Sequence, residues 1–400
     1  MVLWIALRDL MLWASTREDL RARLFSKIAY GQMRARLQGE EVPSDVQAPL
    51  LVLSEVLREG TGIAPSELAQ AAVRVSRWAG EQSLPHTAIS FAQAAALLLP
   101  ERADLSYRVG LLCRTNGQYA RAETWFRRTI VLARRREDAQ SYALAWIGLG
   151  NLYMRRGQHH VAERAYLKAL RKSKRSGIQG AKAMALHSLF CVAVETGRVA
   201  EAEFFAEKAA HVYKPTDSKL IILAHDIAAL WLSQGFHSRA LPVFCAVTPL
   251  LRSTPERLQA LCILARAAAG ADRKDIFTTV WTEAWWIIDQ NPSMESVPTA
   301  LVHLASASAT LLDWERAELA GSVALTLASN RNEERARAEA EEVWKAVCER
   351  RLEDKLTTST GCTMDQNERA ELLAQRLVRK LSVCARKGVI GPRTDILELA

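Results

Sequence analysis

The sequence lacks the features that mark membrane-spanning, metal-binding and disulfide-linked chains. Among its 400 residues there is no run of about 18 uninterrupted apolar residues. The best candidate, LIILAHDIAALWL from Leu220, is interrupted by His225 and Asp226. The seven cysteines are scattered with no CxxC pair, which argues against a zinc site and against a disulfide framework. We therefore expect a cytoplasmic protein with no metal or other cofactor.

Motifs that carry catalysis are also missing. The sequence contains no GxxxxGK[ST] loop, GxGxxG turn, GxSxG elbow or HExxH pair. His159 and His160 are adjacent, so on a helix they do not face one metal ion. An enzyme would have to be assembled from unlinked residues such as His187, Glu195 and His225, with no motif behind it. We predict that the protein is not an enzyme.

Positive charge is abundant but uneven. The formal net charge is +9, and residues 121–175 hold 14 lysines or arginines against four acidic residues, so the rest of the chain is close to neutral. This stripe could attract nucleic acid or an acidic peptide. Alternatively, its charges lie in solvent at the ends of helices, where the helix dipole favours cations. The candidate basic patch consists of Arg127, Arg128, Arg134, Arg135, Arg136, Arg171, Lys172, Lys174 and Arg175.

Internal repetition is the strongest pattern in the chain. The segments GQYARAETWF, GQHHVAERAY, GRVAEAEFFA and GFHSRALPVF begin with glycines spaced 40, 40 and 38 residues apart. DWERAELAGSVAL, at 313–325, fits the same frame, with Leu312 where the glycine would stand. Around Gly157 apolar residues recur at helical spacing on both sides, which predicts two helices joined by a turn. A single hairpin cannot bury both faces, so the hairpins are expected to stack into a solenoid.

One copy carries a recognisable signature, which comprises Trp146, Leu149, Gly150, Tyr153, Gly157, Ala162, Tyr166 and Ala169. These residues resemble the tetratricopeptide repeat pattern, and the 38–40-residue period resembles the longer repeats of bacterial regulators and peptide-binding scaffolds. The resemblance implies an all-α, right-handed solenoid of helical hairpins with helical caps. It spans roughly residues 66–331, with a poor fit across 257–297.

The repeat frame also yields the candidate site residues. In tetratricopeptide solenoids the first helix of each unit lines a concave groove. The corresponding positions here are Tyr107, Leu111, Arg114, Ile147, Asn151, Arg155, His187, Cys191, Glu195 and His225. The resemblance implies that Asn151 holds ligand backbone, because an amide both donates and accepts hydrogen bonds. Arg114 and Arg155 favour an acidic peptide or a C-terminal carboxylate. The alternative is a packed groove with no ligand.

The chain is predicted to contain five regions. They are a helical cap at 1–60, a solenoid at 61–331 (clearest repeats 103–136, 143–176, 183–216 and 221–254), a capping helix at 332–356, a linker at 357–367 and an amphipathic tail helix at 368–388. The tail helix either docks on the repeats or waits for a partner, and docking is favoured because apolar helix faces are usually packed.

Function is predicted to be binding. The leading hypothesis is a non-catalytic scaffold or regulator that binds a peptide or helix of a partner protein in the groove. The alternative is association with nucleic acid through the stripe at 121–175.

Overall fold

The computed structural model describes residues 1–39, 42–58, 63–251, 253–331, 333–351 and 364–389. Within these ranges the chain has nineteen α-helices, α1 to α19, and no β-strand. None of the described helices is both long and apolar enough to cross a membrane. The chain divides into two compact units, Met1–Val192 and Ala193–Ala400. The predicted all-α fold built from helical hairpins is confirmed.

The first unit holds one continuous apolar core that extends from Val2 to Leu152. Its hairpins are α4/α5, α6/α7 and α8/α9, and α1 packs on α3 and α5. The helices that begin in this unit are α1 Val2–Ser15, α2 Lys27–Gly39, α3 Ser44–Ser54, α4 Pro65–Glu81, α5 Pro85–Leu98, α6 Ala103–Thr115, α7 Tyr119–Arg135, α8 Ala139–Arg155, α9 His159–Arg175 and α10 Gln179–Glu195.

Glycines in the first unit let aromatic rings approach the helix backbone. The ring of Phe126 lies between Gly110 of α6 and Gly148 of α8, so that a Cβ atom at either glycine would come within 2.8 Å of the ring. A Cβ at Gly150 would similarly lie 2.7 Å from Cδ1 of Tyr166. Distances this short cannot be relieved without moving a buried ring. The small residues of the repeat therefore set the helix-to-helix spacing.

The second unit repeats the hairpin arrangement with α12/α13, α14/α15 and α16/α17, and α18 packs on α16 and α17. Its helices are α11 Val199–Val212, α12 Lys219–Ser233, α13 His237–Val247, α14 Thr254–Gly270, α15 Lys274–Gln290, α16 Val297–Thr310, α17 Trp314–Asn330, α18 Glu334–Cys348 and α19 Met364–Arg386. Residues 257–297, which fit the repeat signature poorly, thus hold all but the first three residues of a hairpin, α14/α15.

A left-handed residue closes the turn in the hairpins. Gly157 has φ +68°, and Leu312 adopts φ +61° at the equivalent place in α16/α17. In the latter turn the Leu312 amide donates to Ala309 O and the Asp313 amide donates to Ser308 O, which caps the end of α16. Glycine reaches this conformation without steric cost, whereas leucine is strained in it. The structure therefore places Leu312 in the turn frame that the sequence predicts.

The tail helix α19 docks on α13, with smaller contacts to α11 and α12. Lys380 Nζ donates to the carbonyls of Ala210 and Tyr213, at 2.7 and 2.6 Å, and so caps the end of α11. Leu377 and Leu381 are fully buried beneath it. Leu372, on the same helix, is 55 % exposed.

The boundaries of the predicted regions and of the observed helices differ in places. α19 begins at Met364, inside the segment predicted as a linker, and ends at Arg386 instead of 388. Residues 357–363 of that linker lie outside the described residues, as do 352–356 of the predicted capping helix. The predicted cap at 1–60 contains α1, α2 and α3, with 40–41 and 59–60 outside the described ranges.

Candidate functional site

The predicted groove positions on α6 and α8 differ in how much surface they offer. Ile147 is buried, with 4 % of its surface exposed. Leu111, Arg114 and Asn151 are half-buried, and Arg155 is exposed at the end of α8. A ligand could therefore reach the amide and the two arginines but gains little from Ile147. The polar members of the predicted set are the accessible ones.

Asn151 is held in place by the neighbouring helix of its own hairpin. The hydroxyl of Tyr166 donates to Asn151 Oδ1 at 2.8 Å. Tyr166 is itself buried against Gly150, and this burial raises the pKa of its hydroxyl, which stays a donor at neutral pH. Because the amide oxygen already accepts one hydrogen bond, the amide NH₂ group is the part of Asn151 best placed to meet a ligand.

Arg114 lies close to the same group of residues. Its positive charge acts on the hydroxyls of Tyr107 and Tyr166, although burial is the larger influence and raises the pKa of both. The ring of Tyr107 packs at 5.8 Å from that of Phe126. Arg155 places its guanidinium 5.7 Å from the ring of Tyr119. The structure thus brings Tyr107, Arg114 and Asn151 together with Tyr166, a signature residue that was not among the predicted groove positions.

The predicted positions beyond α8 are mostly buried. His187 and Cys191 each expose 6 % of their surface, and the His187 ring packs at 6.2 Å from Phe190. His225 exposes 8 % and packs edge-on against Phe244. Glu195 is exposed. The three buried side chains offer little contact area to a ligand, which leaves the polar residues of α6 and α8 as the centre of any groove site.

Several cations of the basic patch are engaged within the protein. Glu123 accepts hydrogen bonds from Arg127 and Arg156, each at 2.8 Å, and the Arg127 bond lowers the pKa of its carboxyl most. The Arg134 guanidinium lies 5.6 Å from the ring of Tyr142. The Arg128 guanidinium packs at 5.3 Å from an indole ring. The Arg156 and Arg134 contacts connect α7 with α8, whereas the Arg127 and Arg128 contacts lie within α7. Part of the stripe is therefore structural.

Most residues of the basic patch lie at the ends of the second helices of their hairpins. Arg134 and Arg135 occupy the last turn of α7, and Lys172, Lys174 and Arg175 occupy the last turn of α9. Cations at these positions interact favourably with the helix dipole. Arg136 follows α7 and lies 3.5 Å from Glu101. This arrangement matches the alternative in which the charges are solvated helix ends.

Sequence reasoning missed a second group of arginines. Arg74 and Arg77 on α4 line an open pocket together with Arg102. The signal that could have found them is the i, i+3 spacing of two arginines on one helix, which places both side chains on one face.

The fold defines a protein made of stacked helical hairpins. Residues 101–175 match the tetratricopeptide repeat family model, so the resemblance seen in the signature is confirmed for this part of the chain. None of the curated proteins compared with the chain is a match.

Similar solved structures carry the same kind of fold. A signal-transduction ATPase with numerous domains and a tetratricopeptide repeat sensor, from Pyrococcus horikoshii, aligns with a TM-score of 0.54 and 12 % identity over 96 % of this chain and 60 % of its own. The apo form of RapI aligns with a TM-score of 0.50 and 13 % identity over 87 % of this chain and 100 % of its own. At such identities these likenesses show the fold alone. Tetratricopeptide repeats generally mediate protein–protein interactions.

Proposed function

We propose that the protein is a non-catalytic scaffold or regulator, acting in the cytoplasm, that binds a peptide or helix of a partner protein through α6 and α8. The observation that carries the proposal is the Tyr166–Asn151 hydrogen bond, which fixes an amide on the surface of a repeat helix. A preorganised amide loses little freedom when it binds the backbone of a peptide.

Charge favours an acidic partner. Arg114 and Arg155 flank Asn151 along α6 and α8, and arginine binds carboxylates in a bidentate manner. The half-buried Leu111 adds an apolar contact. A short segment with a carboxylate beside an apolar side chain fits these residues best.

The test is capture of a partner from native cell extract by wild-type protein and by an Asn151→Ala, Arg155→Ala double variant, at low and moderate salt, with and without nuclease treatment. We expect a specific protein that the wild type retains and the variant loses. Tyr166→Phe should weaken capture as well, because it frees the amide while leaving the groove composition unchanged.

A matched control is Gln158→Ala, Arg164→Ala, which alters two exposed residues at and beyond the turn after α8. It should retain the partner. Recovery of nucleic acid, with steep loss as salt rises and no effect of the Asn151 variant, would transfer the function to the basic stripe. A partner that survives both groove variants would refute the groove assignment.

A further inference from the structure

An open pocket of about 300 Å³ lies in the first unit between α4, the loop after α5 and the start of α6. α4 and α6 pack together less closely than α6 and α8 do, which leaves the space open. The volume is at the lower end of the range for small-molecule sites. The pocket shares no residue with the groove described above, and its test is independent of that proposal.

Two of the arginines that line this pocket, Arg74 and Arg77, form no ion pair with a carboxylate of the described residues. Arg102 is neutralised by Asp104, with two hydrogen bonds of 2.8 and 2.7 Å. Arg108 lies further along α6 and also forms no ion pair in the described part of the chain, although the charge of Asp104 acts on it. Among the described residues the Asp104 carboxylate is the one acid that lines the pocket, so the arginines there outnumber it and repel one another, and a further anion would reduce this repulsion.

The pKa of Arg108 is sensitive to the positive charge of Arg77. Arg108 is half-buried on α6, and its pKa is lowered first by burial and second by the charge of Arg77, while the charge of Asp104 opposes this. An arginine that is both desolvated and close to a second unpaired arginine stands to gain from an oxyanion that neutralises both.

The pocket also has apolar walls. Ala69 and Val73 on α4, Leu99 from the loop and Leu105 on α6 line it. A bare inorganic ion would leave these side chains without contact. A ligand that combines an oxyanion with an apolar body would use both the arginines and the walls.

We propose that this pocket binds a phosphate monoester carried on an apolar group. A phosphate monoester has up to two negative charges at neutral pH and accepts bidentate hydrogen bonds from guanidinium groups. The dianion matches the several unpaired arginines better than a carboxylate, which carries a single charge. The apolar group rests on Val73 and Leu99.

Isothermal titration calorimetry of the full chain with phenyl phosphate tests the proposal. Arg74→Gln, Arg77→Gln changes two exposed residues of α4 and should weaken binding at least tenfold. Val73→Trp fills the pocket and leaves every charge in place, and it should weaken binding by a similar factor. Thermal unfolding of each variant establishes that it is folded.

The control is Arg376→Gln, Arg379→Gln, which removes two exposed arginines with the same i, i+3 spacing on α19. It should bind phenyl phosphate within twofold of the wild type. Equal weakening by this control would mean that only general surface charge is involved. Binding that survives Val73→Trp in a folded protein, or no binding by the wild type at millimolar ligand, would overturn the proposal.

Further ligands distinguish a phosphorylated partner protein from a free small molecule as the source of the phosphate monoester. A short peptide with phosphotyrosine that binds more tightly than phenyl phosphate would indicate a phosphorylated partner, and the reverse order would indicate a free small molecule. Both orders support a phosphate monoester site. Benzoate binding as tightly as phenyl phosphate would overturn the preference for phosphate, and inorganic phosphate doing so would overturn the role of the apolar walls.

Discussion

The hairpins α8/α9 and α14/α15 have the same frame and different residues. Each consists of two 17-residue helices. Gly157 with φ +68° occupies one turn and Asp272 with φ +54° occupies the other. In both turns the residue after the left-handed one donates its amide to the preceding helix at 2.9 Å. The frame is thus set by helix length and turn geometry, which more than one sequence satisfies.

Packing inside the two hairpins reaches the same burial by different means. In the first, Tyr166 lies against Gly150. At the equivalent places in the second stand Trp281 and Ala265, which are 6 % and 0 % exposed. Trp281 stacks on Trp285 with ring centroids 5.5 Å apart, and the Arg316 guanidinium lies 5.6 Å from it. A larger ring and extra aromatic contacts replace the glycine–tyrosine pair.

Removing the central ring from each hairpin should give the largest change in stability and so tests this equivalence most directly. Tyr166→Ala and Trp281→Ala should each lower the free energy of unfolding by about 3–5 kcal/mol, the usual cost of deleting a buried aromatic side chain. Chemical denaturation measures both. Tyr166→Phe keeps the ring and loses only the bond to Asn151, and should cost about 1 kcal/mol. A loss under about 1 kcal/mol for Trp281→Ala would show that the second hairpin does not depend on its aromatic cluster.

Hairpins with a glycine at the turn can be predicted from the sequence, and α14/α15 cannot. The regular spacing of Gly117, Gly157 and Gly197 and the helical periodicity around them predict hairpins, because glycine at a left-handed turn is a local requirement. α14/α15 escapes that pattern because Asp272 also tolerates the left-handed conformation, and because Ala265 and Trp281 stand where the signature has Gly150 and Tyr166.

Contacts between helices are harder to predict from the sequence than the helices themselves. The amphipathic pattern of the tail predicts that it docks but not on which helices. The docking site depends on the hydrogen bonds that Lys380 donates to the carbonyls at the end of α11. Asn151 was predicted from the repeat frame, whereas its bond to Tyr166 requires the distance between two helices. The pocket at Arg74 and Arg77 exists only because α4 and α6 are spaced apart, which no local pattern encodes.

Lowering the pH should destabilise the region around α14 and α16. Burial, reinforced by the charge of Arg266, lowers the pKa of His303 on α16 from its ordinary 6.5 to about 4, and Glu339 opposes this. Between these pH values the unfolded chain binds more protons, so stability falls as pH drops from about 6.5 towards 4, by at most about 3 kcal/mol.

Chemical denaturation at a series of pH values measures this effect. His303→Gln removes the titrating group and should flatten that part of the pH profile relative to the wild type. An unchanged profile in a folded variant would show that other groups cause the acid sensitivity.

The smallest effects test the turns themselves. Leu312→Gly should raise the free energy of unfolding by about 0.5–1 kcal/mol, because relief of left-handed strain exceeds the entropy that glycine adds to the unfolded chain. The Leu312 side chain is 60 % exposed, so little packing is lost. Gly157→Ala should instead lower the free energy of unfolding, by about 1 kcal/mol.

Leu312→Ala is the control: it removes the same side chain and keeps the strain, so it should change stability little. If Leu312→Ala stabilises as much as Leu312→Gly, the gain comes from removing an exposed apolar side chain, and the two turns do not share one conformational requirement.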